Sequence, residues 1–433
     1  MEQYFLTNVL TLTRTDDPHV GRRYCIFVGQ RVFHGSERLA RLLECLSRES
    51  SIDGITARLS EGGDIFTVEQ VRTVIKTQLI PAGLVSTEKH AESTARGLSP
   101  YLFFTRRLVG PAAVTRACSP FTFLFAPRVL ALALLACGGL LGGWMVATLS
   151  HSGSLRAAVA DFDMTLGDSL LLYTLLFSAF AFHELGHAAA SRYSGADPAE
   201  IGIGLYLLFP VLFCNVTEAW RLPRASRVRV NLGGAYFQLL LTALAAPVQL
   251  VTHSTPIAVF IGASATSMLV TLNPFFRFDG YWVYSDLFRL PNLRDQARTW
   301  GADVLARVTR AVAGRRGPAA PPSVDAPMAL RVYAVASTLF FTGFGLFAAS
   351  TTWRLVVSLP ALLGGIRAKF EHTPPLEAIV DVYGNAALVV AYLVGALLSA
   401  MVALSTLGRG ARVVRLALSA SRQPTSGSQG ASA

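Results

Sequence analysis

His183, Glu184 and His187 stand in the order HELGH within the stretch LLYTLLFSAFAFHELGHAAASRYSG, Leu171 to Gly195. Residues four apart share one face of a helix, so both imidazoles can reach a single ion. Glu184, beside them, is displaced far enough to bind or deprotonate a water held there. Zinc suits this set, because it takes neutral imidazole and carboxylate in a tetrahedral arrangement that leaves one position for water. The plainer alternative is a pair of buried helix histidines hydrogen-bonded to their neighbours. Against it, each ionisable side chain at membrane depth costs about 3 kcal/mol or more, and three desolvated groups without a metal are hard to offset.

A catalytic zinc needs a third protein ligand. It is expected about ninety residues on, in TLNPFFRFDGYWVYSDLF. Pro274 interrupts a helix and frees carbonyls, which membrane depth tolerates only where protein or a cavity receives them. Asp279 can supply a carboxylate oxygen, and Gly280 lets the backbone turn closely beside it. The Asn273 amide can stabilise an oxyanion. Taken alone, this motif is a helix stop followed by a turn.

The surrounding elements set the depth of these residues. The chain has 433 residues, 52% hydrophobic and only 15% charged, where a soluble protein carries about a quarter charged. Its apolar residues fall in blocks of roughly 20, the length that crosses a bilayer. Spans are expected near 127–149, 166–190, 232–251, 257–275, 329–350 and 379–407. The stretches IGIGLYLLFPVLFCNV and LVVSLPALLGG, broken by Pro210 and Pro360, are expected to be re-entrant or interfacial. The net charge of +11 is nearly all arginine between the apolar blocks, which reads as topology and anionic-lipid contact rather than a nucleic-acid face. Six spans with both termini cytoplasmic in the cell's inner membrane satisfy the bias, with Arg367 and Lys369 as the exception. Five scattered cysteines with no CxxC pair suggest reduced thiols.

The first 100 residues look soluble, and the N-terminus lacks the basic start and apolar core of a signal peptide. RRYCIFVGQRVFHG predicts a hairpin broken at Gly29-Gln30. Leu39, Leu42, Leu43 and Leu46 predict an amphipathic helix capped by Ser36; a shorter helix follows around Ile52, Ile55 and Leu59. Thr67 and Gln70 open a third with a capping box, stopping at Pro81 and Gly83. The expected fold is an α-helical polytopic membrane protein of about six transmembrane helices with re-entrant segments and a small α+β winged-helix-like cytosolic domain. Its expected divisions are that N-terminal domain at 1–100, a basic linker at 101–126, the catalytic intramembrane core at 127–290, an Arg/Pro-rich cytoplasmic connection at 291–327, C-terminal transmembrane helices at 328–407 and a basic, Ser-rich tail at 408–433.

HELGH in one apolar segment and NPFFRFDG at the end of a later one together resemble the site-2 protease family of intramembrane zinc metallopeptidases, whose pattern is HExxH followed by NPxxxxDG. FHELGHAAASRYSG, FCNVTEAW, RLPRASRVRVNLGGAYFQLL and NPFFRFDGYWVYSDLFRLPNLR are similar to its bacterial peptide zinc metalloprotease branch. The resemblance covers Leu166 to Arg294. It implies one Zn2+ per chain on His183, His187 and Asp279, Glu184 as general base and Asn273 at the oxyanion or substrate. Gln238, Gly234 and Tyr281 are expected substrate contacts, although the family's usual Gly-Pro and asparagine are here Gly234-Ala235 and Gln238. The N-terminal domain resembles the PqqD-like fold that binds leader peptides, by adding an extended strand to a sheet edge; a winged helix that merely caps the membrane core is the alternative. What the resemblances imply is leader removal or maturation of a ribosomally made natural-product peptide near the cytoplasmic face, with a precursor peptide, the bilayer and a peptide exporter or modifying enzymes as partners. A regulatory protease of a single-span signalling protein, or a non-catalytic binding, export or immunity protein with a structural metal, are the alternatives. Glu218 is expected to be either a solvated interfacial carboxylate or a support for the metal ligands.

Overall fold

The computed structural model describes residues 3–6, 10–17, 21–28, 31–61, 66–80, 84–87, 102–152, 165–206, 209–290, 292–312 and 326–372. The chain forms two compact units, Met1–Val283 and Tyr284–Ala433.

The first unit begins with an α+β module. Its elements are β1 (Phe5–Leu6), β2 (Leu10–Asp17), β3 (Gly21–Val28), β4 (Arg31–Ser36), α1 (Glu37–Arg48), α2 (Ile52–Glu61), α3 (Val68–Val74), a π-turn at Ile75–Leu79 and β5 (Val85–Ser86). The expected hairpin is the β3–β4 pair, with Val28 opposite Arg31. The antiparallel β2 extends it to three strands, and β1 pairs separately with β5. The Gly29-Gln30 link and the Pro81 and Gly83 stop lie outside the described residues. Helix α1 starts where Ser36 Oγ accepts from the Leu39 N–H at 3.3 Å. The capping box before α3 is complete, with Thr67 and Gln70 each bonding the other's backbone. Leu42, Leu43, Leu46, Ile52, Ile55, Leu59, Val71 and Ile75 turn inward on Tyr4 and Ile26. Burying each such aliphatic side chain contributes about 1.5–3 kcal/mol, so this apolar face holds the module together.

Next come β6 (Leu102–Val109), α4 (Pro111–Cys118), a 3-10 turn at Ser119–Phe125, α5 (Pro127–Ser152), α6 (Leu166–Tyr193), β7 (Ile201–Tyr206), β8 (Phe209–Cys214), a second 3-10 turn at Thr217–Arg221, α7 (Arg224–Thr252), α8 (Thr255–Thr271) and α9 (Asp279–Leu287). Residues 101–126 are therefore more than a linker: Val114, Cys118 and Phe125 are buried in the core around α6 and α7. A stretch rich in arginine reads as solvated, but here the apolar residues between the charges pack inward. IGIGLYLLFPVLFCNV, expected to be re-entrant or interfacial, is strand and not helix. It makes the β7–β8 hairpin in an antiparallel sheet ordered β6-β7-β8. Paired strands satisfy the backbone of a short apolar segment that is too short to span as a helix.

Among the described residues four helices, α5, α6, α7 and the first part of α11 (Met328–His372), are long and apolar enough to cross a membrane. The expected fourth span is only the 17-residue α8, about 26 Å long against a hydrocarbon core of about 30 Å. It stops early because the residue before Pro274 is pushed out of helical geometry, and the Asn273 side chain instead takes the Phe275 N–H at 2.8 Å. The expected sixth span, 379–407, and the tail lie outside the described residues. In the second unit, α10 (Leu293–Val312) and α11 bury Leu293 and Leu330, and the Tyr284 hydroxyl donates to the Ala329 carbonyl at 3.0 Å. Helix α11 runs unbroken for 45 residues through Pro360, so LVVSLPALLGG is helical rather than a broken segment. One lost hydrogen bond at a proline is tolerated in an apolar helix flanked by strong helix formers.

Candidate metal centre

Helices α6 and α7 approach closely because both are glycine and alanine at their crossing. A Cβ placed on Gly233 would lie 2.6 Å from the Gly186 carbonyl oxygen and 2.8 Å from Ala190 Cβ, and one on Gly186 would overlap the Gly233 carbonyl in turn. Small residues at such crossings let membrane helices pack through van der Waals contact. The rings of Phe121, Phe125, Phe182 and Phe237 seal one flank, with centroids 5.5–5.9 Å apart.

This approach brings Val230, Gly234 and Gln238, four residues apart on one face of α7, against the histidines of α6. His187 Nδ1 lies 2.8 Å from the Val230 carbonyl oxygen, and His183 Nδ1 lies 3.1 Å from Gln238 Oε1. Both oxygens are acceptors, so both imidazoles carry their proton on Nδ1 and turn a lone pair outward from Nε2. Asp279 comes from the first turn of α9. Gly280 makes this possible, since any Cβ there would overlap the carbonyl of Leu272 at the end of α8.

Three acceptor atoms therefore converge. His183 Nε2 is 3.2 Å from His187 Nε2 and 3.1 Å from Asp279 Oδ2, and His187 Nε2 is 3.4 Å from that same oxygen. Both histidines are buried, at 8% and 7% exposure. With both Nδ1 protons directed elsewhere, neutral imidazoles leave three lone pairs at distances where they repel unless a cation, a proton or a metal ion, joins them. A tetrahedral ion with bonds of 2.0–2.1 Å needs ligand atoms about 3.3 Å apart, so the donor set fits zinc in type, number and spacing. Among the described residues these three form the one group of His, Cys, Asp and Glu side chains able to hold a metal.

Glu184 stays outside that triangle. It is part-buried and lies beside Cys214 on the edge strand β8. Asn273 holds the NPFF turn through its carboxamide oxygen, which leaves its NH2 as the group that can donate. Gly234 lies against both imidazoles rather than on an open surface. Gln238, 1% exposed, stands behind His183 on the Nδ1 side of its ring. Tyr281 is 2% exposed and stands 5.0 Å from the Trp282 ring, under the Arg277 guanidinium. All three are buried. Glu218 pairs with Arg221 at 3.1 Å and is half exposed, the solvated interfacial arrangement. Val230 was not singled out from the sequence, although its i, i+4, i+8 spacing with Gly234 and Gln238 carries the signal.

Compared with protein-family models, with curated proteins and with solved structures, the chain matches none.

Proposed function

We propose that this protein is a membrane-embedded zinc endopeptidase of the site-2 protease type that cleaves a peptide or precursor near the cytoplasmic membrane face. The observation that carries the reading is the triangle of His183, His187 and Asp279 acceptor atoms at 3.1–3.4 Å, with both imidazole protons directed away from it. When bound there, zinc would polarise the scissile carbonyl and acidify a water.

The protein's own groups supply the rest. Glu184, one residue from a metal ligand, takes the proton of the attacking water and returns it to the leaving nitrogen. The Asn273 NH2 donates to the developing oxyanion. Because β8 is an edge strand, a locally extended peptide pairing with it would lie beside Glu184, in the conformation a peptidase needs. The N-terminal module supports a peptide-recognition role in the same way, since β2 and β4 are both edges of its sheet. Maturation of a ribosomally made peptide by leader removal is the function that joins the two halves, with both termini on the cytoplasmic side.

The test is peptide mass spectrometry of cells producing the wild type or Glu184→Gln at equal protein level. A longer precursor is expected to accumulate in the variant while its shortened product falls by roughly 100- to 10,000-fold, the share of rate a positioned general base supplies. Matching peptide profiles in a variant that still holds its metal would overturn the peptidase reading and leave a structural metal in a binding or export protein.

A further inference from the structure

We infer that Gln238 is the positioning residue that sets the His183 tautomer, and that hydroxyls of α7 and α8 lock Gln238 in the one orientation able to do so. The inference rests on the metal-centre reading above and deepens it.

The argument is a proton count within a buried network. Gln238, Thr242 and Ser264 are 1%, 0% and 0% exposed. Gln238 Nε2 lies 3.1 Å from Ser264 Oγ, 2.6 Å from Ser267 Oγ and 3.4 Å from the Ser264 carbonyl oxygen. The Ser267 hydroxyl donates its only proton to the Ser264 carbonyl at 2.9 Å, so toward Gln238 it has only lone pairs. The Thr242 hydroxyl donates to the Gln238 carbonyl one turn back at 2.7 Å. It must therefore accept from Ser264 Oγ, 2.6 Å away, and Ser264 too is left with lone pairs for Gln238. Both protons of the Gln238 NH2 are thus claimed by acceptors. Its Oε1 has to face His183 Nδ1, and it accepts the imidazole proton there.

A flipped amide would fail at both ends. It would set Oε1 against the Ser264 carbonyl and the Ser267 lone pairs, and would aim an NH2 at His183 Nδ1. The imidazole proton would then move to Nε2, into the triangle the ion must occupy. Outer partners of this kind fix the orientation and basicity of a metal-binding imidazole. Here the partner is itself oriented by a second helix, so α8, which supplies no ligand, governs how well α6 binds metal.

The test measures the zinc dissociation constant by chelator competition, on the purified full-length protein in detergent. The variants are Gln238→Leu, the double variant Ser264→Ala/Ser267→Ala and Gln238→Glu. Apo-protein unfolding is followed in parallel, and affinities are read well below each unfolding temperature. Gln238→Leu and the double variant are expected to bind zinc roughly 10- to 100-fold more weakly. Gln238→Glu keeps an oxygen facing Nδ1 but sets its second oxygen against the Ser264 and Ser267 oxygens, so it is expected to bind zinc more weakly than the wild type. A merely structural role would lower the unfolding temperature and leave zinc affinity unchanged, and that result overturns the inference. So does a double variant with wild-type affinity beside a weakened Gln238→Leu. A wild type that takes up no zinc would remove the metal-centre reading itself, whereas unchanged affinity confined to the variants removes only the role of Gln238.

Discussion

Gly234→Ala adds one methyl group at the point where α7 touches both histidines. A Cβ built there lies 2.5 Å from His183 Nε2, 2.5 Å from His187 Nε2 and 2.6 Å from His183 Cδ2. Ordinary contact at such atoms is about 3.5 Å, so the overlap is about 1 Å on two rings at once. Both rings, and with them the two nitrogens that would hold an ion, must move to relieve it. Metal sites tolerate about 0.2 Å in ligand distance, far less than the rings would have to move. Zinc affinity is therefore expected to fall by more than the roughly 100-fold that marks the upper range for changes behind a ligand. The added methyl would also lower apo stability by about 1–3 kcal/mol through overpacking. Metal content by mass spectrometry, with thermal unfolding in the presence and absence of zinc, reads both effects. Gly262→Ala, where a Cβ would meet nothing within 4 Å, is the control and should retain full metal. A Gly234→Ala protein holding one zinc per chain at wild-type affinity would refute the placement of the two imidazoles.

Two further substitutions probe the supports. Leu43→Ala removes a fully buried side chain from the N-terminal module and should destabilise that module by about 2–5 kcal/mol, measured by denaturant unfolding of the whole chain. Zinc affinity should not change, because none of the metal ligands or their partners belongs to that core. Gly186→Val puts a branched side chain against the Gly233 backbone, so α6 and α7 must separate. The expected outcome is loss of metal together with a lower unfolding temperature, and retention of either would contradict the close crossing.

Much of the centre was legible because its chemistry is local. HELGH places two imidazoles on one helical face whatever the helix packs against. The NP pair stops a helix by backbone sterics that need no partner, and Asp279-Gly280 follows at once. Ser36 and the Thr67–Gln70 box act over three residues, and both caps form as read. Elements whose state depends on distant partners were less legible. The apolar IGIGLYLLFPVLFCNV has the composition of a membrane-seeking segment, and only β6 across the sheet makes it a strand pair. Residues 101–126 carry arginines that suggest solvent, while Val114 and Phe125 commit the segment to the core.

The sequence by itself determined which atoms can bind an ion and which carboxylate can work as a base, because those properties belong to residue types at fixed helical spacing. It also determined helices long and apolar enough to cross a membrane, since about 20 consecutive apolar residues have no better solvent than hydrocarbon. Only the tertiary structure decided the state of those atoms. Asp279 meets the histidines because Gly280 passes under Leu272. The two imidazoles turn their lone pairs to it because Val230 and Gln238 on α7 claim the other protons. Hydrogen bonds between helices have no trace in local spacing, for they exist only once the crossing of glycines has brought the two backbones together.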